Sequence, residues 1–159
     1  MRPPVSAQHS ESLALDTPEA TAALGGKIAS LLAAGEAVCL WGPLGAGKTA
    51  LARGLIRALT DPDEEVPSPT FTLVQLYAGP AFMIAHYDLY RLKTAEEAFE
   101  LGLDETLDEG AALIEWPERL EGALPPDRLD IEIEIPADGV GRRARITPHG
   151  RWMAKWKAQ

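Results

Sequence analysis

The sequence predicts one three-layer α/β domain with a mixed, mostly parallel central sheet. Three observations lead there. The runs Ala37 to Trp41 and Ala111 to Trp116 are short and continuously apolar, the pattern of strands buried on both faces. Segments with apolar residues at helical spacing alternate with strands in the first half of the chain, whereas strand-like runs dominate the second. The 159 residues suit one domain that buries roughly two-thirds of its unfolded surface, and no repeat or linker divides them.

The elements follow in order. The stretch to Ser10 is polar and Pro-containing, so poor order is expected there. Ser12 to Leu15 is read as a short edge strand. Thr17 caps a helix with Pro18 in its first turn. Leu24, Ile28, Leu31 and Leu32 form its apolar face, and Gly25-Gly26 weaken it. Thr49 to Leu59 is a second helix, with Leu51, Leu55, Ile56 and Leu59 inward and Arg53 and Arg57 outward. The acidic, Pro-rich residues Thr60 to Pro69 make a loop. Thr70 to Tyr77 and Phe82 to Tyr87 are read as strands joined around Gly79-Pro80. Thr94 to Leu101 is a short helix, and Pro117 stops the strand that begins at Ala111. Leu129 to Ile135 and Arg143 to Ile146 form a hairpin around Asp138-Gly139.

Composition narrows the class. With 46% hydrophobic and 25% charged residues, the chain is ordinary for a globular protein. Met1 to Gln8 have no apolar core, so no secretory signal is expected. No apolar run approaches bilayer length, and the single Cys39 suits a reducing compartment. A soluble cytoplasmic protein without a membrane partner is the expectation. The net charge of −9 argues against a protein that coats nucleic acid. The charge is uneven, because residues 142–159 hold Arg142, Arg143, Arg145, Arg151, Lys155 and Lys157 and no acid. Such a basic C-terminal segment suits either contact with RNA or an acidic partner, or a solvated terminus.

The octet Gly42-Pro43-Leu44-Gly45-Ala46-Gly47-Lys48-Thr49 satisfies G-x-x-x-x-G-K-[ST], between a predicted strand and a predicted helix. Its glycines permit backbone angles that turn successive N–H groups inward as an anion nest. The following helix adds its positive N-terminal end. Lys48 is expected on the β- and γ-phosphates of a nucleoside triphosphate and Thr49 on Mg²⁺. The fold class is therefore P-loop NTPase-like.

Hydrolysis also needs groups that face the γ-phosphate. Two apolar strands run into carboxylates, Asp88 and Glu115, where open α/β sheets place their ligands. Each could orient Mg²⁺ directly or through water, or be a surface-paired acid. Ser68-Pro69-Thr70-Phe71-Thr72 is rich in hydroxyls and suits a switch segment over the γ-phosphate. His86 is placed off the face that carries Asp88 and assigned a structural role, and Cys39 is assigned to the core. For Trp116 the sequence leaves packing and nucleotide contact both open.

Four segments in order, GPLGAGKTALARGL, SPTFTLVQLY, HYDLYRL and LIEWPERL, resemble the TsaE (YjeE) family, the small bacterial ATPase of tRNA threonylcarbamoyladenosine biosynthesis. The resemblance runs from about Leu15 to Pro126. It implies a P-loop ATPase that binds ATP or ADP with Mg²⁺. Such a protein works with the two other proteins of the threonylcarbamoyl-transfer complex, resetting or driving it and meeting tRNA indirectly or through the basic segment. Carried over residue by residue, it makes Lys48 and Thr49 the phosphate and Mg²⁺ residues. Thr70 and Thr72 fall in the switch, Asp88 and Glu115 are the metal or catalytic carboxylates, and Trp116 follows the acid as in the motif.

Two positions depart from the pattern. Pro43 stands where such proteins commonly have Asp, at a position that faces outward. Ala50 stands where a second hydroxyl commonly follows Thr49, which removes an α-phosphate contact worth about 1 kcal/mol.

Other readings compete. A small-molecule kinase would use the same cradle but needs an acceptor pocket and a basic lid. A guanine-specific GTPase would carry Asn-Lys-x-Asp, and this chain has no Asn; the D-x-x-G at Asp138 to Gly141 sits in a hairpin turn. A nucleotide-sensing module with negligible turnover differs only in rate. Arg91 is the sole arginine-finger candidate within a matched motif.

Overall fold

A computed structural model describes residues 10–158, so the readings made on residues 1–9 lie outside the described part. In chain order its elements are β1 (Glu11–Leu15), α1 (Pro18–Ala29), β2 (Ala37–Trp41), α2 (Lys48–Leu59), β3 (Val74–Ala78), β4 (Met83–Asp88) and α3 (Ala95–Glu100). There follow α4 (Leu103–Glu109), β5 (Ala111–Glu115), a 3₁₀ helix (Pro117–Ala123), β6 (Arg128–Glu134), β7 (Arg142–Pro148) and α5 (Trp152–Ala158). The strands form one sheet in the order β1-β7-β6-β2-β5-β4-β3.

The middle of that order, β6-β2-β5-β4, is parallel, whereas the β3–β4, β6–β7 and β1–β7 pairs at the margins are antiparallel. Sequence dictates the arrangement. β2 and β5 are apolar along almost their whole length and fully buried, which only a strand covered on both faces tolerates. β3–β4 and β6–β7 are hairpins, which short connections can close only in the antiparallel sense, and β1 adds to the β7 edge from the far end of the chain.

Side chains alternate between two apolar layers. On one face Val38, Leu40, Leu113 and Ile131 pack against Ile28 of α1, Leu55 of α2 and Trp152 of α5. On the other, Cys39, Trp41, Tyr87 and Ile114 pack against Ala98 of α3, Leu103 of α4 and Leu120 of the 3₁₀ helix. The three-layer mixed α/β architecture is the predicted one.

Helix α1 starts as read, with the Thr17 hydroxyl accepting a bond from the Ala20 amide at 3.1 Å and Pro18 in the first turn. Its Gly25 has a packing reason. A Cβ there would lie 2.7 Å from the Leu55 nitrogen and 2.8 Å from the Leu51 oxygen. Gly54 of α2 answers it, since a Cβ would lie 2.9 Å from the Cα of Ala22. The two helices meet backbone to backbone.

Several elements differ from expectation. Thr70 to Leu73 is a turn, not the start of a strand, and Leu73 has φ +70°. β5 stops at Glu115, since Trp116 leaves the extended region for left-handed angles at φ +61°. A second short helix, α4, follows Gly102 at φ +86°.

The basic C-terminal segment is not a solvated terminus. Arg142, Arg143 and Arg145 belong to β7, and α5 buries Trp152 and Trp156 one helical turn apart. Lys155 pairs with Glu36, and the Arg151 Nε lies 3.3 Å from Asp127. Among the described residues no helix is long and apolar enough to cross a membrane.

Candidate functional site

The cradle begins where β2 ends. Gly42, Gly45 and Gly47 have φ of +139°, +79° and +109°, in the region that disfavours side chains. At Gly42 the need is also one of space, since a Cβ would lie 2.6 Å from the Ile133 carbonyl oxygen. Gly47 precedes α2 with no side-chain cap bond, so the first amides of the helix face the loop uncapped. The base of the loop is tied to the sheet. The Trp41 indole N–H donates to the buried Asp130 carboxylate at 2.9 Å, and Arg128 Nε donates to the same group at 3.1 and 3.2 Å. Nothing in the sequence pattern singled out this anchor.

Strand order assembles the rest. β2, β5 and β4 are parallel neighbours, so the P-loop, Glu115 and Asp88 stand side by side at their carboxyl ends. They share a cleft of about 280 Å³ with Lys48, Thr49, Ser68 and Thr70. The Thr49 hydroxyl donates to Glu115 at 3.0 Å to Oε1 and 3.2 Å to Oε2. Thr70 donates to Asp88 Oδ2 at 3.3 Å and bonds Ser68 at 2.7 Å, while the Tyr90 amide donates to Asp88 Oδ1 at 3.0 Å. Asp88 and Glu115 are both buried and hydrogen-bonded, not surface-paired acids.

Lys48 is buried and donates to the Gly42 carbonyl, with its Nζ 3.5 Å from the centre of the Trp116 ring. Burial pushes its pKa below the ordinary lysine range, and the charges of Glu115, Glu118 and Asp88 pull part of the way back. Of the two roles the sequence leaves open for Trp116, packing is the one seen, and the ring stands where the cleft is lined. It packs on Tyr90 at 4.8 Å and forms a wall of the cleft.

Other candidates stand elsewhere. Pro43 is exposed, as its outward position suggested. Leu44 is 67% exposed at the rim, Ala46 is buried beneath the loop, and Ala50 is exposed at its far end. Thr72 does not line the cleft: its hydroxyl accepts from Gln75 at 3.1 Å, because the irregular turn after Thr70 rotates it outward. Arg91 lies over the Phe71 ring at 4.7 Å and does not line the cleft.

Two residues join the site against expectation. Strand alternation puts His86 on the same face as Asp88, and its Nε2 lies 2.6 Å from Glu115 Oε2. Arg142, read as part of a basic terminus, is folded back by the β6–β7 hairpin to 3.3 Å from the Gly45 carbonyl oxygen. It borders a second cavity of about 290 Å³ on the opposite side of the P-loop, with Thr17, Pro18, Thr21 and Ala50.

Comparison with known proteins identifies the family. The family described as "Threonylcarbamoyl adenosine biosynthesis protein TsaE" matches residues 15–144. The chain belongs to the TsaE family. A tRNA threonylcarbamoyladenosine biosynthesis protein TsaE of Rickettsia felis is 41% identical over 123 residues, 77% of this chain and 72% of that protein. The Treponema pallidum protein of the same name is 40% identical over 120 residues, 75% of this chain and 87% of the relative. In structure, the chain is similar to the crystal structure of Bacillus subtilis YdiB, with a TM-score of 0.77 and 29% identity. That match covers 94% of this chain and 92% of YdiB.

This TsaE-family cleft fits Mg²⁺ better than a cation held by protein alone. Among the described residues no group of three or more His, Cys, Asp or Glu is arranged to hold a metal. Mg²⁺ on a nucleotide needs only one or two carboxylates besides phosphate oxygens and water. Thr49, Asp88 and Glu115 are hard oxygen donors in one cleft beside a lysine, which matches that demand.

Proposed function

We propose that this chain is an ATP hydrolase that binds MgATP between Lys48, Thr49 and the P-loop amides. It hydrolyses ATP slowly alone and faster with the two other proteins of the threonylcarbamoyl-transfer complex. Its turnover supports threonylcarbamoylation of the tRNA adenosine beside the anticodon. The observation that carries this reading is the bond from Thr49 to Glu115, which joins the first turn of α2 to the end of β5 inside the cleft.

Each residue has a role in that reading. Gly42, Gly45 and Gly47 shape the nest, with Pro43, Leu44, Ala46 and Ala50 completing the loop. Lys48 neutralises charge on the β- and γ-phosphates. When bound, Mg²⁺ supplies Lewis-acid neutralisation of the phosphates, held by Thr49 and by Asp88 or Glu115. One of the two carboxylates orients the attacking water, and Thr70 holds Asp88 in place. The second cavity, mostly apolar and beside Ala50, takes the nucleoside, with Arg142 at its mouth.

A nucleotide sensor with negligible turnover is favoured by one observation: Arg91 lies on Phe71, and among the described residues no arginine lines the cleft. Phosphate release by the purified chain, alone and with its partner proteins, separates the two. Partner-stimulated release is expected, and equal negligible rates would favour the sensor. Depleting the protein should lower threonylcarbamoyladenosine in total tRNA, and an unchanged level would sink the pathway role.

A further inference from the structure

We infer that His86 is the positioning residue for Glu115, holding its carboxylate in the orientation from which it serves MgATP. The inference rests on the hydrolase reading above and adds to it a residue assigned neither by the motifs nor by the carried-over site.

Glu115 is 3% exposed, and a buried carboxylate needs hydrogen-bond donors. Among the described residues it has two: the Thr49 hydroxyl, and His86 Nε2 at 2.6 Å. Thr49 already has a task, since its oxygen is the one the P-loop offers to Mg²⁺. His86 has no other task. It is fully buried, and among the described residues its Nδ1 has no partner.

The two ring nitrogens identify the donor. A carboxylate accepts and cannot donate when ionised, so the nitrogen facing Glu115 carries the proton. A proton on Nδ1 would instead be stranded without an acceptor. The imidazole therefore presents Nε2–H to Oε2, while Thr49 lies between both oxygens. Together they stop the carboxylate from rotating.

Placement makes this constraint rigid. His86 is in the middle of β4, in register with Gln75 of β3 and Leu113 of β5, so its backbone is held on both sides. Burying an imidazole with one orphaned nitrogen costs stability that an apolar side chain at the same place would not. The bond to Glu115 accounts for that cost, and Asp88, two residues along the same strand face, stands beside the same cleft. Supporting groups behind metal ligands are typically worth about 10- to 100-fold in metal affinity or activity.

The test compares His86→Leu, which has no donor, with His86→Gln, whose amide reaches about as far as Nε2, in the full chain. Two quantities are read: the gain in ADP affinity on adding Mg²⁺ over a chelator control, and kcat and KM for ATP. The expectation for His86→Leu is unchanged metal-free ADP affinity, a smaller Mg²⁺-dependent gain, and kcat lower by about tenfold or more at similar KM. His86→Gln should recover most of both. A Leu variant with the wild-type Mg²⁺ gain and turnover overturns the inference, and so does a Gln variant as impaired as Leu. If the Leu variant fails to fold, His86→Asn, whose amide falls short of Glu115, replaces it with the same expectations. Absence of ATP turnover by the wild type, alone and with partners, would sink the hydrolase reading only, and the Mg²⁺ comparison then decides the role of His86.

Discussion

The Nζ of Lys48 lies 3.5 Å from the centre of the Trp116 indole, so the P-loop cation and the aromatic wall of the cleft are in contact. Trp116 is held there at φ +61° between Glu115 and Pro117. A phosphate that draws the ammonium towards itself changes the field on the indole. Binding of ADP should therefore change the tryptophan emission, and Trp116→Phe should remove most of the change. The other tryptophans, Trp41, Trp152 and Trp156, are buried and do not line the cleft. A full signal in the Phe variant would place the reporter elsewhere.

Lys48 should be costly to the free fold and necessary to the bound one. Its folded pKa lies below its unfolded value of 10.5, chiefly through burial. The unfolded chain binds more protons over the interval between the two, so Lys48 lowers stability at neutral pH, and the penalty fades as pH rises towards 10.5. Lys48→Met is expected to melt above the wild type at neutral pH, with the gap closing in alkali. Its ADP affinity should fall by about 10- to 100-fold, the worth of a charge-assisted contact. Thermal unfolding across pH and calorimetric titration check the two halves separately.

Asp88→Asn and Glu115→Gln keep the shape of the cleft and remove its charge. Both should spare metal-free nucleotide binding and lower turnover by about 100-fold or more, as for groups that position an attacking water. Normal turnover in both variants would refute their assignment.

Ala50 is exposed and borders both cavities, where a hydroxyl would reach the α-phosphate side of the loop. Ala50→Thr should tighten ADP by about fivefold, one hydrogen bond's worth. Unchanged affinity would show that the missing hydroxyl is without consequence.

The α1–α2 contact has no room. Gly25→Ala sets a methyl group 2.7 Å from the Leu55 nitrogen, and the backbone there cannot yield as a side-chain tip would. The cost should be about 1–3 kcal/mol or more, read by denaturant unfolding. A neutral substitution would mean that the helices slide apart freely.

What could be read from the sequence was whatever depends on residue type at short spacing. The octet Gly42 to Thr49, the all-apolar strand β2 and the carboxylates that end β4 and β5 each have a local physical reason, and the fold class follows from them. What could not be read depends on tertiary return. Arg142 reaches Gly45 only because the β6–β7 hairpin folds the chain back across 97 residues. Helix α5 was hidden by Arg151 and Lys155, although Trp152 and Trp156 carry the i, i+4 signal of a buried face. Thr72 left the site because Leu73, at positive φ, breaks the strand predicted to begin at Thr70. His86 was legible in principle: two positions before Asp88, a strand must present it on the same face.

The most direct test replaces the chromosomal gene by the Lys48→Ala allele and measures threonylcarbamoyladenosine in total tRNA by mass spectrometry, with protein levels matched. If ATP turnover in this cleft supports the modification, the level falls as far as it does on depletion of the protein. A wild-type level in the Lys48→Ala strain, with depletion still lowering it, would contradict the account, because the chain would then serve the modification without its nucleotide site.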